Sequence, residues 1–351
     1  MSADLLTERE KQVLEAVIRT YVETAEPAAS RTVAKRFQFS VSPATVRNTM
    51  ADLEEKGYLY HPHASAGRIP TDRAYRFYVD TLMRPVRLSA KEQRRLRKEL
   101  AEPEGATALD SWVRRAVQVI GLLTGELGLA IAPRLADAVL ERLELVSVSR
   151  DKLLLVLRLQ SGGVRTVYID LPGSVAPETL VSVAMILNER LSGATLREIR
   201  RTLPERLRDA APPGDDKVAE VLDTFSDSAE EILEWHETQG DEVHLGRASV
   251  LAQQPEFATE SQLKNLIELT EQRDLLASVL SSRDRDSTVQ ITIGSEHGHP
   301  KLSGFALITA EYQFGSLSGV IGVMGPTRMP YERVAAVVEY TSSLVSELAT
   351  S

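Results

Sequence analysis

The sequence predicts a multidomain protein of the α+β class. Its 351 residues exceed one ordinary domain, since domains commonly span roughly 100 to 200 residues. The first 80 residues show the spacing of three short helices followed by a β-hairpin. The remainder alternates strand-like and helical segments, and a long helical block interrupts that order. These observations together favour an N-terminal helical module joined to a mixed α+β body with a helical insertion.

Composition excludes several classes of protein. The chain has no cysteine, so disulfides, thiolate zinc sites and cysteine nucleophiles are excluded. No apolar run approaches the roughly 20 residues that span a bilayer. The first ten residues, MSADLLTERE, carry acidic side chains where a secretory signal needs a basic segment. We therefore expect a cytoplasmic protein without a membrane partner.

Charge is distributed unevenly along the chain. Residues 1–98 hold 18 Lys and Arg against 12 Asp and Glu, whereas the remaining residues hold 23 against 38. The net charge of the whole chain is −9. A basic N-terminal part on an acidic body suits a protein whose one end approaches phosphates, although chance clustering of charge is an alternative.

The N-terminal segment has clear helix-start signals. Thr7 and Glu10 fit a capping box ahead of an apolar helical repeat. Ser30 is a plausible N-cap for a short second helix. Ser42 is a plausible N-cap for a third, and Pro43 fits its first helical position, where no amide hydrogen is needed. The sequence therefore predicts three short helices before residue 57.

A β-hairpin follows these helices. Tyr58-Leu59-Tyr60 begins a strand, and the following loop ends in Gly67-Arg68. Three helices and a β-ribbon with a Gly-Arg tip are the order of a winged helix-turn-helix. We predict this domain over residues 1–75, and a connecting helix and linker over 76–105.

In such a motif the third helix buries one face and offers the other to the DNA major groove. Val46, Met50 and Leu53 share one face and are expected in the core. The groove side then carries side chains that contact bases or phosphates well, namely Ser42, Ala44, Thr45, Arg47 and Asn48. Basic residues predicted near the DNA backbone are Arg31, Arg68, Arg73 and Arg76. Ordinary solvated charges on a small helical domain would give a similar pattern.

The body has the pattern of an α+β fold with an insertion. Strands are predicted at 129–132, 143–149, 153–159 and 164–171, with a turn at Gly162-Gly163. A mostly helical block spans residues 177–236. Beyond it we predict a helix over 261–280, three strands between 289 and 324, and a closing helix over 331–348.

Long runs of the sequence resemble the HrcA heat-inducible transcription repressors. The N-terminal runs are Ser42–Glu54, His63–Asp72 and Tyr75–Asp80. Further matches in the body are Ile169–Pro172, Leu187–Leu191, Gln254–Phe257, Ile293–Glu296 and Gly325–Met329. The resemblance extends over essentially the whole chain. It departs at Thr49, where the family pattern has Glu, and at His244–Arg247, which replace a glycine pair.

The resemblance implies a specific architecture. A winged helix-turn-helix would be joined to a GAF-like α/β domain, formed by residues 106–175 and 259–351. A mostly helical dimerisation domain would be inserted at residues 176–258. The apolar helix face expected to hold the dimer together carries Leu180, Val183, Leu187 and Leu191.

The resemblance also implies a function. It is repression of chaperonin and Hsp70 operons by a homodimer bound to the inverted-repeat CIRCE element in double-stranded DNA, released on heat stress. The chaperonin would be a further partner that keeps the repressor active. An inverted repeat fits a dimer, because two winged helices read two half-sites.

Two other classes of function fit the sequence less well. A winged-helix regulator controlled by a small ligand in the GAF-like domain is the alternative. A hydrolase carrying a DNA-binding appendage lacks a coherent set of nucleophile, base and oxyanion donors. The histidine pairs His61/His63 and His297/His299 lack a clear third metal ligand. The sequence therefore predicts no catalytic residues, no metal site and no cofactor.

Overall fold

The structure is a computed structural model that places helices and antiparallel sheets in two compact units. It describes residues 6–37, 42–63, 66–101, 109–133, 135–160, 164–171, 173–227, 243–284, 287–315 and 317–349. Unit 1 comprises residues 1–130, 244–310 and 321–344, and unit 2 comprises residues 131–243, 311–320 and 345–351. The mixed α+β class predicted from the sequence is confirmed.

Unit 1 begins with what we call the N-terminal region, residues 6–82. Its elements are α1 (Glu8–Thr24), α2 (Ser30–Arg36), α3 (Pro43–Glu55), β1 (Leu59–Tyr60), β2 (Ile69–Pro70) and α4 (Asp72–Phe77), followed by a π-helical turn (Tyr78–Leu82). The first two predicted helix starts have different outcomes. Thr7 and Glu10 form the expected capping box of α1. In α2 the N-cap is Ala29, without a side-chain hydrogen bond, and Ser30 is already helical. The expectation that Ser30 caps α2 is therefore wrong by one residue.

A short hairpin packs back on the chain before α2. Leu59 pairs with Pro70 and Tyr60 with Ile69 in antiparallel register. Arg68 extends this ribbon by exchanging two backbone hydrogen bonds with Ala28, at 2.9 and 3.0 Å. A Cβ atom on Gly67 would lie 2.5 Å from the carbonyl oxygen of Pro27. Only glycine permits this close approach.

The rest of unit 1 contains most of a five-stranded sheet. In space its strands run β7-β3-β10-β9-β8, so that strands distant in sequence are neighbours. The bounds are β3 (Leu127–Ile131), β7 (Val243–Leu245), β8 (Val289–Ile293), β9 (Phe305–Phe314) and β10 (Leu317–Pro326). The helices are α5 (Ala90–Ala101), α6 (Leu109–Thr124), α10 (Glu260–Glu271), α11 (Arg273–Ser281) and α12 (Tyr331–Ala349).

Close packing joins α6 to the centre of this sheet. A Cβ atom on Gly128 of β3 would lie 2.1 Å from the carbonyl oxygen of Val117 in α6. All five residues of β3 are buried. The sheet is thus the core on which the other elements of unit 1 are positioned.

Unit 2 is a three-stranded sheet packed on helices. Its elements are β4 (Leu140–Ser147), β5 (Lys152–Leu159), β6 (Val164–Asp170), α7 (Pro177–Leu191), α8 (Leu196–Leu207) and α9 (Asp216–Asp227). The strands are antiparallel in the order β4-β5-β6. Leucines from β4 and β5 share one apolar core with Leu187, Ile199 and Phe225 of the three helices.

This shared core changes the predicted domain limits. The sequence placed β4–β6 in the GAF-like domain and began the insertion at residue 176. The structure instead joins these strands to α7–α9 in one unit, because their inward side chains cover the same helix faces. Unit 2 is therefore a sheet-and-helix layer rather than a mostly helical segment.

Several smaller expectations differ from the structure. The helix predicted over 261–280 is two helices that meet at Gln272. Strand β7 was not predicted. The linker predicted near residues 102–105, the turn at Gly162-Gly163 and the helical segment 228–236 lie outside the described residues. Among the described helices, none has both the length and the apolar character needed to cross a bilayer.

Candidate nucleic-acid interface

Helix α3 has one buried face and one exposed face. Val46 and Leu53 are fully buried and Met50 is nearly so, which confirms their predicted place in the core. Ala44, Arg47 and Asn48 are exposed, and Thr45 is half-buried. The exposed face therefore presents a guanidinium, a carboxamide and a methyl group, which are chemistries that read base edges.

The N-terminus of α3 is held by its cap. The Ser42 hydroxyl oxygen accepts a hydrogen bond from the Thr45 amide at 3.2 Å and lies 3.1 Å from the Thr45 hydroxyl. Pro43 occupies the first turn, as predicted. Pro43 has no amide hydrogen, so among the first residues of α3 the Ala44 amide is the one without an intrahelical acceptor, and it is available to an anion such as a phosphate.

The departure at Thr49 concerns the core. Thr49 is buried, and its hydroxyl donates to the Thr45 carbonyl oxygen at 3.1 Å. The side chain therefore faces away from Arg47 and Asn48. The residue that differs from the family pattern does not alter the exposed face.

Helix α2 packs on α3 and carries basic residues. Arg31, at its start, is exposed, as is Lys35 one turn later. Arg36 forms an ion pair with Glu23 of α1. Arg31 is therefore placed on the surface of the two-helix pair, where its charge is available to a partner.

Arg68 has a structural role in the hairpin. Its guanidinium pairs with Glu54 of α3 at 2.7 Å, and its side chain is 21 % exposed. The same carboxylate also contacts the His61 ring. The prediction placed Arg68 beside the DNA backbone, whereas the structure turns it toward α3, because Glu54 offers a nearby opposite charge.

Arg73 holds the C-terminal end of α3. Its Nη1 donates to the Lys56 carbonyl oxygen at 2.8 Å, and its guanidinium lies 4.6 Å from the centre of the Tyr58 ring. A cation at this position complements the negative end of the helix dipole. Arg73 thus stabilises the C-terminal end of α3 rather than lying on its exposed face.

Arg76, predicted near the DNA backbone, has internal hydrogen-bond partners in the structure. It donates to both carboxylate oxygens of Glu296 at 2.7 and 2.5 Å, and to the Ile291 carbonyl oxygen at 2.6 Å. Hydrogen bonding to Glu296 raises the pKa of Arg76. Burial would raise the pKa of Glu296, but bonds from Arg76 and from the Ile293 amide lower it below its ordinary value. Arg76 joins the N-terminal region to the sheet of unit 1 and is not a free backbone-contacting cation.

A second anchor was missed on the sequence. Arg328 donates to both carboxylate oxygens of Glu256 at 2.5 and 3.0 Å, and to the carbonyl oxygen of Val22 near the end of α1 at 2.7 Å. The signal was present, since Gln254–Phe257 and Gly325–Met329 are two of the segments that resemble the family. Their spacing alone gave no indication that they meet α1.

A buried carboxyl lies beside this anchor. Glu126 is 3 % exposed and accepts a hydrogen bond from the Gln254 side chain at 3.0 Å. Burial raises the pKa of Glu126 to about 8, although Gln254 and Arg328 act in the opposite direction. The carboxyl is therefore mostly protonated at neutral pH. A Cβ atom on Gly325 would overlap it, so glycine is required there.

The predicted dimer contacts lie inside unit 2. Leu180, Val183, Leu187 and Leu191 are all buried, in the core that α7 shares with β4 and β5. They are not available to a second chain, because strands of the same chain cover them. Large apolar side chains that are exposed in this unit include Val146, Val148, Val164, Tyr168, Val181 and Met185.

Known proteins match this chain over nearly its full length. The family model described as "HrcA protein C terminal domain" matches residues 110–335. The heat-inducible transcription repressor HrcA of Chlorobium phaeobacteroides (strain BS1) is 35% identical over 352 residues, covering 97% of each chain. The protein of the same name from Geobacter sulfurreducens is 35% identical over 344 residues, covering 98% of each chain.

One solved structure has a similar fold. It is a crystal structure of a hypothetical protein, 24% identical, with a TM-score of 0.63 over 99% of each chain. This likeness supports the overall arrangement of helices and antiparallel sheets.

Proposed function

The chain belongs to the HrcA family of heat-inducible transcription repressors, and from this premise we propose that it binds the CIRCE inverted repeat of chaperonin and Hsp70 operons as a homodimer. Members of this family regulate transcription of heat-shock genes and are not enzymes. A repressor acts where the DNA is, so we infer a cytoplasmic location.

The observation that carries this proposal is the two-faced helix α3. Its buried side holds it on α1 and α2, and its exposed side presents Ala44, Arg47 and Asn48. We assign α2, α3 and the β1–β2 hairpin to a winged helix-turn-helix, with α3 as the recognition helix in the major groove.

Individual roles follow from chemistry and exposure. Arg47 is suited to guanine O6 and N7, and Asn48 to adenine N6 and N7. Arg31 and the capped first turn at Ser42 and Thr45 are suited to phosphates. We call the N-terminal region, residues 6–82, the reading head. Arg68 and Arg73 stabilise it internally through Glu54 and the end of α3, whereas Arg76 holds it on the sheet of unit 1 through Glu296.

We assign the five-stranded sheet of unit 1 to the GAF-like domain and unit 2 to the inserted dimerisation domain. We do not place the dimer contact on the leucine face of α7, because strands of the same chain cover that face. The outer face of the β4–β6 sheet is better suited, since Val146, Leu154 and Tyr168 lie side by side across the three strands. Tyr168 is 65 % exposed, which leaves apolar area for a partner to cover.

The heat response is proposed to arise from the fold itself. Domains are stable by only about 5 to 15 kcal/mol, and the stability of a dimer also depends on its concentration. Modest heating would then deplete the operator-binding species. A chaperonin that refolds the repressor would set how much of it is active.

A binding assay tests the DNA proposal. The full chain is titrated onto a duplex carrying the inverted repeat and onto a duplex with that repeat scrambled, at fixed salt. Arg47→Ala and Asn48→Ala should each lower the preference for the repeat by about 1 to 3 kcal/mol and leave circular dichroism unchanged. Asp52→Ala, on an exposed position one turn further along α3, is the matched control.

Two results would contradict the proposed reading of bases by Asn48 or the proposed operator. If Asn48→Ala weakens binding to both duplexes equally, Asn48 contacts the backbone. If the unchanged protein binds both duplexes with the same affinity, the proposed operator is wrong.

A further inference from the structure

The basic charge of the N-terminal part is concentrated outside the proposed reading head. Residues 1–83 hold 11 Lys and Arg and 11 Asp and Glu, so they carry no net charge. Residues 84–98 hold seven Lys and Arg and one Glu. The whole surplus of the first 98 residues therefore lies in a segment of fifteen residues that includes most of α5.

Helix α5 displays much of this charge as one stripe. Lys91, Arg94, Arg95 and Lys98 are spaced i, i+3, i+4 and i+7, which places them on one face of a helix, and all four are exposed. Leu96 and Leu100 on the opposite face are fully buried. The packing of α5 against unit 1 thus fixes the direction in which the charges point.

The single acidic residue of the segment does not neutralise the stripe. Glu92 accepts hydrogen bonds from the Ser89 amide and hydroxyl, at 2.9 and 2.7 Å, and pairs with Arg333 of α12 at 3.2 Å. Among the described parts of the chain, no carboxylate lies within ion-pair distance of the four stripe side chains. The four cations are left facing solvent.

We propose that the α5 stripe, defined as Lys91, Arg94, Arg95 and Lys98, binds the phosphate backbone of DNA as a contact separate from the recognition helix. This proposal rests on the proposed function. An uncharged reading head on a chain of net charge −9 has little long-range attraction to DNA. The stripe supplies the attraction without sequence preference, because phosphates are the same at every base pair.

The length of the stripe limits the number of phosphates it binds. Seven residues of helix rise by about 10 Å. Phosphates of one strand recur about every 3.4 Å along the duplex axis, so the stripe faces about three of them. Binding about three phosphates contributes about 2.7 to the slope of log affinity against log salt concentration.

The test is a salt titration of the full chain. The stripe variant replaces all four residues with glutamine, which has a good helix propensity and keeps α5 folded. The control variant replaces four exposed arginines of unit 2 that lie outside the β4–β6 strands with glutamine and so removes the same charge, at Arg150, Arg190, Arg201 and Arg208. Affinity for the inverted-repeat and scrambled duplexes is measured by fluorescence anisotropy between 50 and 200 mM salt, and far-ultraviolet circular dichroism checks the fold.

We expect the stripe variant to lose about 2 to 3 from the salt slope on both duplexes, with the same ratio of affinities between them. Its deficit relative to the unchanged protein should shrink about 40-fold from 50 to 200 mM salt. The control variant should keep the slope of the unchanged protein.

Two results would overturn the proposal. One is a stripe variant whose slope equals that of the control. The other is a stripe variant that loses only the preference for the inverted repeat, which would mean that α5 reads sequence. If the unchanged protein shows no preference for the repeat, the proposed operator fails, yet the slopes on scrambled DNA still decide whether the stripe binds phosphates.

Discussion

Replacing Arg328 with methionine tests whether the Arg328 anchor holds the reading head on the sheet of unit 1. Arg328 makes two hydrogen bonds to Glu256 and one to the Val22 carbonyl oxygen of α1. Its side chain is 14 % exposed. Methionine keeps most of the length of the side chain but removes the charge and all donors, so Glu256 and the Val22 carbonyl lose their partner.

The magnitude follows from burial. Removing one partner of a fully buried ion pair costs about 3 to 5 kcal/mol, and a hydrogen bond to a charged group contributes about 1.5 to 3 kcal/mol. Glu256 is 26 % exposed, so water partly replaces the lost guanidinium. We expect Arg328→Met to lower the free energy of unfolding by about 2 to 3 kcal/mol, which is about 30- to 150-fold in the unfolding equilibrium.

Urea unfolding followed by circular dichroism measures this loss. Arg333→Met is the matched control, since Arg333 forms one exposed ion pair with Glu92 and its side chain is 59 % exposed. Such pairs contribute about 0 to 1 kcal/mol. A double-mutant cycle with Glu256→Gln should give a coupling of at least about 1 kcal/mol.

The reasoning is refuted if Arg328→Met and Arg333→Met cost the same and the cycle shows coupling below about 0.5 kcal/mol. Arg328 would then be a surface residue in solution. Operator affinity adds a second readout. If the anchor orients the reading head, Arg328→Met should weaken binding under conditions where the protein remains folded.

Three further predictions concern pH, the dimer and heat. Burial raises the pKa of Glu126 to about 8, so the folded protein holds a proton that the unfolded chain releases above about pH 4.5. Stability should therefore fall as pH rises from about 4.5 to about 8, and Glu126→Gln should flatten that decline in urea titrations at several pH values. Leu187→Ala should cost about 2 to 5 kcal/mol in unfolding free energy as a core truncation. Tyr168→Ser on the exposed sheet face should leave stability nearly unchanged but shift sedimentation toward monomer. If Leu187→Ala instead yields a folded monomer and Tyr168→Ser stays dimeric, the leucine face of α7 is the interface. Operator affinity should drop over the same temperature range in which near-ultraviolet circular dichroism is lost, and chaperonin with ATP should restore it, whereas release from a fully folded dimer would point to a discrete switch.

Local features of the fold were accessible from the sequence. The capping box of Thr7 and Glu10 and the cap of α3 at Ser42 involve residues three apart, so composition and spacing suffice to identify them. The burial of Val46, Met50 and Leu53 follows from the period of the helix. The exposed face of α3 was found by the same reasoning.

The roles of the arginines were not accessible in this way. Arg76 and Glu296 are 220 residues apart, and nothing in the sequence near either residue indicates the other. Arg68 and Arg73 are basic residues in the expected places, yet each finds an acceptor within the N-terminal region. An arginine predicted from pattern to meet DNA is equally suited to an internal carboxylate, since both are anionic.

The apolar face of α7 is a second case in which the sequence pattern does not identify the partner of a side chain. Their helical spacing indicated that the side chains of Leu180, Val183, Leu187 and Leu191 pack against a partner surface. In the structure that surface is β4 and β5 of the same chain. The period does not say whether the cover comes from a second chain or from β4 and β5 of the same chain. Burial of apolar area lowers the free energy in either case.

The sequence by itself determined the α+β class, the caps of α1 and α3, the two faces of α3 and the concentration of basic charge ahead of residue 99. These depend on residues within a few positions of one another, or on counting them. Only the tertiary structure decided which arginines hold the N-terminal region on the sheet of unit 1, that β4–β6 share a core with α7–α9, and which face of α5 meets solvent. Those outcomes depend on which distant segments pack together, because ion pairs and apolar contacts form wherever the fold brings suitable partners within reach.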